Sequence, residues 1–204
     1  VYIGTIVLLN IPNIQQAMSV FVAEELSEVL NTKVVIGRIN MGLLNRIIID
    51  DVLLDDQSGQ EMLKVTRLSA KFDIMPFFKG KISISSVQLF GFNINLRKET
   101  PDSPPNFKFV LDAFASKDTV KKENSLDLRI NSILIRRGRM SYHVLSEEET
   151  PGKFNAKHIQ LQNIIANISL KALSKDSLNL GIKRLSLDEK ASGFSCLLYT
   201  SDAA

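Results

Sequence analysis

The stretch 81–97, KISISSVQLFGFNINLR, restricts the fold more than any other part of the chain. Ile82, Ile84, Phe90, Phe92, Ile94 and Leu96 are apolar and alternate with mostly polar neighbours, the period of a half-buried strand. In its middle the alternation slips by one: after Ile82 and Ile84 come Ser85 and Ser86, and then Val87 and Leu89 on the other parity. The resulting unit, apolar-x-apolar-x-x-apolar-x-apolar, recurs at Ile47/Ile49/Val52/Leu54, Leu63/Val65/Leu68/Ala70, Leu128/Ile130/Ile133/Ile135, Ile159/Leu161/Ile164/Ala166 and Leu180/Ile182/Leu185/Leu187. In each copy both slip residues are polar. At 45% apolar content about two or three copies would arise by chance, so the six found are an excess. A slip turns every later side chain to the opposite face unless a bulge or strong twist absorbs it. Repeated from strand to strand, it predicts a sheet that bends along one line.

Taken in order, residues 1–9 (VYIGTIVLL) are apolar and stop at Asn10 and Pro12. They are too short to cross a hydrocarbon core of about 30 Å, which needs roughly 20 residues. They read either as a first strand or as the end of a membrane anchor. The start at Val1 and the lack of Lys or Arg before Lys33 favour the anchor, with residues 1–12 its remnant. Asn13 and Gln16 form a capping-box pattern, and Ile14, Met18, Phe21, Val22, Leu26, Val29 and Leu30 share a face, predicting an amphipathic helix over 13–31. Its acidic opposite face disfavours lying on a membrane, so it is expected to plug one end of the sheet.

From Lys33 the period is two. VVIGRIN, RIIIDDVLLDD and EMLKVTRLSAKFD are joined by short connections that predict antiparallel neighbours. Residues 75–80 form an apolar corner before the long strand. Prolines break the ladder in KETPDSPPN, a short helix is expected over 106–115, and the polar run 116–125 reads as a mobile loop. Strands resume at LDLRINSILIRRG, with a turn at Arg137 and Gly138, and continue through RMSYHVL, HIQLQNIIANISLKAL and SLNLGIKRLSLDE. The count is seven to nine strands and two helices, mainly antiparallel, with nothing resembling a β-α-β unit. Residues 195–204 abandon the alternation, and LLYTSDAA looks like translated sequencing-adapter read-through. That tail is expected to lie outside the native fold, which makes Cys196 non-native and continues the native chain past Phe194.

Candidate chemistry is sparse. Basic and acidic residues are interspersed at a net charge of +3, which gives no concentrated field for nucleic acid or anionic headgroups. One cysteine excludes an internal disulfide. His143 and His158 fall on different predicted elements without a ligand at motif spacing and read as surface histidines, so no metal is expected. Asp50, Asp51, Asp55 and Asp56 are explained by the slip and the turn after it rather than by acid–base work. No nucleophile elbow, phosphate loop or dinucleotide fingerprint is present. The expectation is a non-enzyme without cofactor. A strand of about 16 residues spans roughly 50 Å, and two short helices are little cover for such a sheet. Either the sheet folds on itself as a filled sandwich, or it curls into an apolar trough open to acyl chains.

Residues 11–73, together with KGKISISSVQLFGFNINLRK and DLRINSILIRRGRMSYH, resemble the start of AsmA-like proteins of the translocation-and-assembly-module (TamB) type, a likeness that covers about residues 1–190. The resemblance implies long antiparallel strands in a curved, taco-like sheet with a hydrophobic groove. It also implies an inner-membrane anchor with a periplasmic body, and a role in phospholipid transfer between the membranes and in outer-membrane protein assembly. Residues 13–194 would be the membrane-proximal segment of such a bridge. Ile82, Ile84, Phe90, Phe92, Ile94, Leu96, Leu128, Ile130, Met140, Tyr142, Ile168 and Leu170 are expected to line the groove. The partners implied are phospholipid acyl chains, the inner membrane and an outer-membrane assembly-factor barrel, with no nucleic acid. Two alternatives remain: a scaffold that recruits that barrel by strand addition without moving lipid, and a surface adhesin-like domain.

Overall fold

Period-two patterning becomes strand in eight segments, which pair in sequence order into one open, curved sheet. The computed structural model describes residues 11–42, 45–72, 84–115, 132–173 and 178–200. Helix α1 (Pro12–Leu30) leads into β1 (Val34–Gly42), β2 (Arg46–Asp55), β3 (Glu61–Phe72) and β4 (Ile84–Lys98). Helix α2 (Lys108–Ala115) follows, then β5 (Ser132–Val144), β6 (His158–Leu173), β7 (Leu178–Glu189) and β8 (Ser195–Tyr199). The predicted residues 1–10, the corner at 75–80 and the loop at 116–125 lie outside the described residues.

The start of α1 differs from the capping-box expectation. Pro12 occupies the first helical turn, where a missing N–H costs nothing, and no side chain caps that end. The helix ends at Asn31 in the left-handed region (φ 48°), with the Thr32 N–H donating to the Ser27 carbonyl at 3.1 Å. Ser27 Oγ accepts the Val34 N–H at 3.0 Å, which ties the helix end to the first strand. Met18, Val22, Leu26 and Leu30 pack as expected, against Val34, Ile36, Ile39, Leu54 and Met62. Phe21 instead stays 63% exposed while Gln15 and Ser19 are buried, so the packed stripe is rotated away from Phe21. The α2 segment adds Phe109, Val110 and Ala113 to the same cluster. Among the described residues no helix is long and apolar enough to cross a membrane.

Two further expectations are corrected. The β4 and β5 strands pair in parallel, from Ser86 opposite Ser132 to Lys98 opposite Val144, and α2 lies in their connection, so β4–α2–β5 is a β-α-β crossover. Antiparallel neighbours follow from a short turn, whereas the connection across 99–131 is long enough to return to the start of the 15-residue β4. Arg137 and Gly138 do not turn the chain. Arg137 is left-handed (φ 55°) inside the continuous strand β5, so the pair makes a kink. The segment Ser195–Tyr199 forms β8 and pairs antiparallel with β7 from Arg184 opposite Tyr199 to Asp188 opposite Ser195.

Candidate functional site

The bend expected from the slipped repeat is built at one level of the sheet. Asp51 in β2, Gly91 in β4, Arg137 in β5 and Asn163 in β6 all have positive φ, between 54° and 63°. The flanking pairs Arg38–Asp50, Asp50–Arg67, Arg67–Phe90 and Phe90–Arg136 place the first three of these at one level, with Thr66 of β3 between Asp51 and Gly91. A left-handed residue reverses which face the next side chain takes. The β5–β6 and β6–β7 ladders shift register at this level, and on either side of it the apolar positions of successive strands still pair with one another. Glycine is required at Gly91, where a Cβ would stand 2.7 Å from Thr66 Oγ1 in addition to the φ of 63°.

Four apolar rows cross the strands as a result. Val34, Leu54, Leu63, Ile94, Met140 and Leu161 pair in succession, and beside them run Ile36, Val52, Val65, Phe92, Gly138 and Ile164. Beyond the kinks come Ile39, Ile49, Leu68, Leu89, Ile135, Ala166 and Leu185. The last row is Met41, Ile47, Ala70, Val87, Ile133, Ile168 and Ile182. Val65, Phe92 and Ile164 are the buried centre, with Leu63, Leu68, Leu89, Ile94, Ile135, Met140 and Leu161 packed around them.

Of the twelve residues expected to line a groove, Phe92, Ile94 and Met140 belong to this packed centre, and Ile168 to the row that continues it. Leu96 and Tyr142 are opposite each other, with Ile159 next across, at the far end of the same face. Ile84 pairs with Phe72 and Leu170 with Leu180 in the backbone ladder. Ile82, Leu128 and Ile130 lie outside the described residues. Phe90 is not on this face: it neighbours Leu89, is 39% exposed, and carries the Arg137 guanidinium 5.1 Å above its ring. The kink falls at Gly91, so Leu89 and Val87 take the face that unbroken alternation assigns to Phe90. Val52, Val65, Leu89, Ile135, Ile164 and Leu185 complete the surface. All six are positions of the slipped repeat, and β1 carries the same spacing at Val34, Ile36, Ile39 and Met41.

The helices cover only part of this face. Helix α1 packs on β1 and α2 on α1, and among the described residues neither packs against β5, β6 or β7. Val87, Leu89, Ile133, Ile135, Ile168, Ile182 and Leu185 are half-buried.

The polar groups mostly secure the ends of the sheet. Asp56 is 2% exposed and accepts from the Ser58 N–H at 2.9 Å, the Ser58 hydroxyl at 2.6 Å and Asn106 Nδ2 at 3.1 Å, while the Arg97 guanidinium lies 2.6 Å away. Burial alone pushes its carboxyl up, but the bonds from Ser58, Asn106 and the Gln60 N–H outweigh that and hold it below the usual range. Glu189 at the other corner accepts from the Ser192 hydroxyl and N–H and from the Ala191 and Gln160 N–H groups. The Ser192 hydroxyl bond leads, overcoming burial, and the carboxyl is lowered to about 2. Both groups organise turns. His143 and His158, read above as separate surface residues, are directly opposite across β5 and β6, and His158 is only 8% exposed.

Comparison with known protein families, curated proteins and solved structures finds no match for this chain.

Proposed function

We propose that the chain is the membrane-proximal part of a periplasmic bridge that carries phospholipid between the inner and outer membranes. In this reading the four apolar rows lie inside the curve and shield acyl chains from water. The observation that carries it is the continuation of the rows through β4–β7, past the helices, with side chains half-buried and no described helix packed on them. An apolar band of this length is costly to leave in water, at about 25 cal/mol per Å², and a lipid tail removes that cost without a specific polar contact. The inner-membrane anchor and the support of outer-membrane protein assembly belong to the same proposal.

The test is site-specific photocrosslinking in the envelope of a Gram-negative cell. A photoreactive residue at 87 or 135 faces the apolar rows, and one at 88 or 136 faces the other side. Phospholipid adducts from 87 and 135 in clear excess over 88 and 136 are expected. Equal labelling from the two faces overturns the lipid reading.

A second reading rests on the open edges: among the described residues β1 pairs only with β2, and β8 only with β7. Such edges accept an added strand from a partner such as an outer-membrane assembly barrel. In that case charges placed on an edge strand abolish function, while charges among the half-buried apolar residues are tolerated.

A further inference from the structure

We propose that His143, His158 and Glu149 form a binding site for a divalent transition-metal ion, with Zn²⁺ the best fit. His143 ends β5 and His158 begins β6, and their direct pairing puts the two Nδ1 atoms 3.0 Å apart. The connection between the strands brings Glu149 over them, with its Oε1 3.8 Å from His143 Nδ1 and 3.9 Å from His158 Nδ1. The carboxylate is too far from either ring to hydrogen-bond. The point equidistant from all three atoms lies about 2.1 Å from each, the length of Zn–N and Zn–O bonds. Two imidazoles and one carboxylate are a donor set this ion favours, and it completes four-coordination with water.

The tautomer also fits. His158 Nε2 lies 2.9 Å from the Glu147 carbonyl oxygen, which can only accept, so Nε2 carries the proton and Nδ1, 3.0 Å from His143 Nδ1, keeps a free lone pair for a metal ion. A ring N–H held by a backbone carbonyl is the usual support of a metal-bound histidine. Without metal, His143 Nδ1–H can donate to that lone pair; an ion takes the place of this proton. Other charges nearby do not compete for the position: Glu147 is held by Lys157 at 2.6 Å and Glu189 by its own turn. Glu149 and His158 also line a cavity of about 220 Å³ with Gly152, Gln160 and Lys190, which gives water access to the fourth position. A bound ion would pin the 145–157 connection onto the ends of β5 and β6, fixing that end of the sheet.

The untagged full chain, stripped with chelator, is titrated with Zn²⁺ by calorimetry and with Co²⁺ by visible absorption. One ion per chain, a raised thermal midpoint and the intense absorption of four-coordinate Co²⁺ are expected. Glu149→Gln and His143→Asn, both on groups that are not fully buried, weaken binding at least about tenfold while the metal-free proteins melt with the wild type. His143→Cys, which restores a ligand but not the ring, recovers Zn²⁺ binding. Absence of saturable one-to-one binding, or affinity unchanged in both His143→Asn and Glu149→Gln, overturns the site.

Discussion

The Phe92 ring occupies the space where a Cβ on Gly138 would stand, with Ile164 Cβ only 3.0 Å from that same point on the other side. This is where the parallel pair β4–β5 meets the antiparallel pair β5–β6, and Phe92 and Ile164 are both buried there. Gly138→Ala should cost about 1–3 kcal/mol, because Phe92 must leave its place between Val65 and Ile164. Combining it with Phe92→Leu should lose clearly less than the sum of the single changes. Urea denaturation of the four proteins measures this, and strict additivity would show that the two positions do not share space.

The aligned left-handed residues make a separate prediction at Asp51 (φ 55°), which is exposed. If the backbone bend rather than the carboxylate matters there, Asp51→Gly should be neutral or stabilise by up to about 1 kcal/mol, and Asp51→Val should destabilise by about 1–2 kcal/mol. A valine is otherwise favoured in strands, so the sign itself is diagnostic. Thermal melts of the two variants decide it, and a Val variant as stable as the Gly variant would refute the bend.

These residues also explain what could be read in advance. The four apolar positions of the slipped repeat in β2, β3 and β6, with Ile182, Leu185 and Leu187 in β7, are those that share one face, because period and polarity are local properties of each segment. In β4 the position of the slip was ambiguous. Val87 and Leu89 belong both to a unit beginning at Ile82 and to one ending at Ile94, and local polarity picks the serine pair over Phe90 and Gly91. Only the register with Thr66 and Arg67 fixes the kink at Gly91. The parallel β4–β5 pairing was not legible for a similar reason, since strand order across a long connection is decided by which apolar rows join. The histidine pair depends on register alone: 15 residues separate the rings in sequence, and the β5–β6 ladder brings them together.

Acid should weaken the fold through Glu189. Its carboxyl, ordinarily near 4.5, is lowered to about 2 in the folded chain, first by the Ser192 hydroxyl and further by three backbone N–H groups. A lowered carboxyl contributes stability that is complete above the unfolded value and is lost as pH falls toward the folded one. The urea midpoint should therefore decline between about pH 5 and about pH 2, and Glu189→Gln should flatten that decline while lowering the midpoint at pH 7. Asp56 is lowered in the same direction, so part of the slope should survive in the variant. A Glu189→Gln protein with the wild-type slope would place the acid sensitivity elsewhere.

The Asp56 site links elements far apart in sequence. One of its oxygens holds the β2–β3 turn through Ser58, and the other meets Arg97 at the end of β4 and Asn106 just before α2. Asn106 in turn accepts the Arg97 N–H at 3.0 Å and donates to the Asn95 carbonyl at 3.1 Å. Asp56→Ala would leave the Ser58 and Gln60 N–H groups without this acceptor and a largely buried guanidinium without its carboxylate, and would take one of two acceptors from Asn106, so a loss of about 3–5 kcal/mol is expected. Asp56→Asn keeps an acceptor but loses the charge and should cost less. Because α2 is held to β4 through Asn106, hydrogen exchange at 108–115 should accelerate in Asp56→Ala more than exchange in β6. Uniform acceleration across both segments would mean that the carboxylate supports the fold globally instead of fastening this corner.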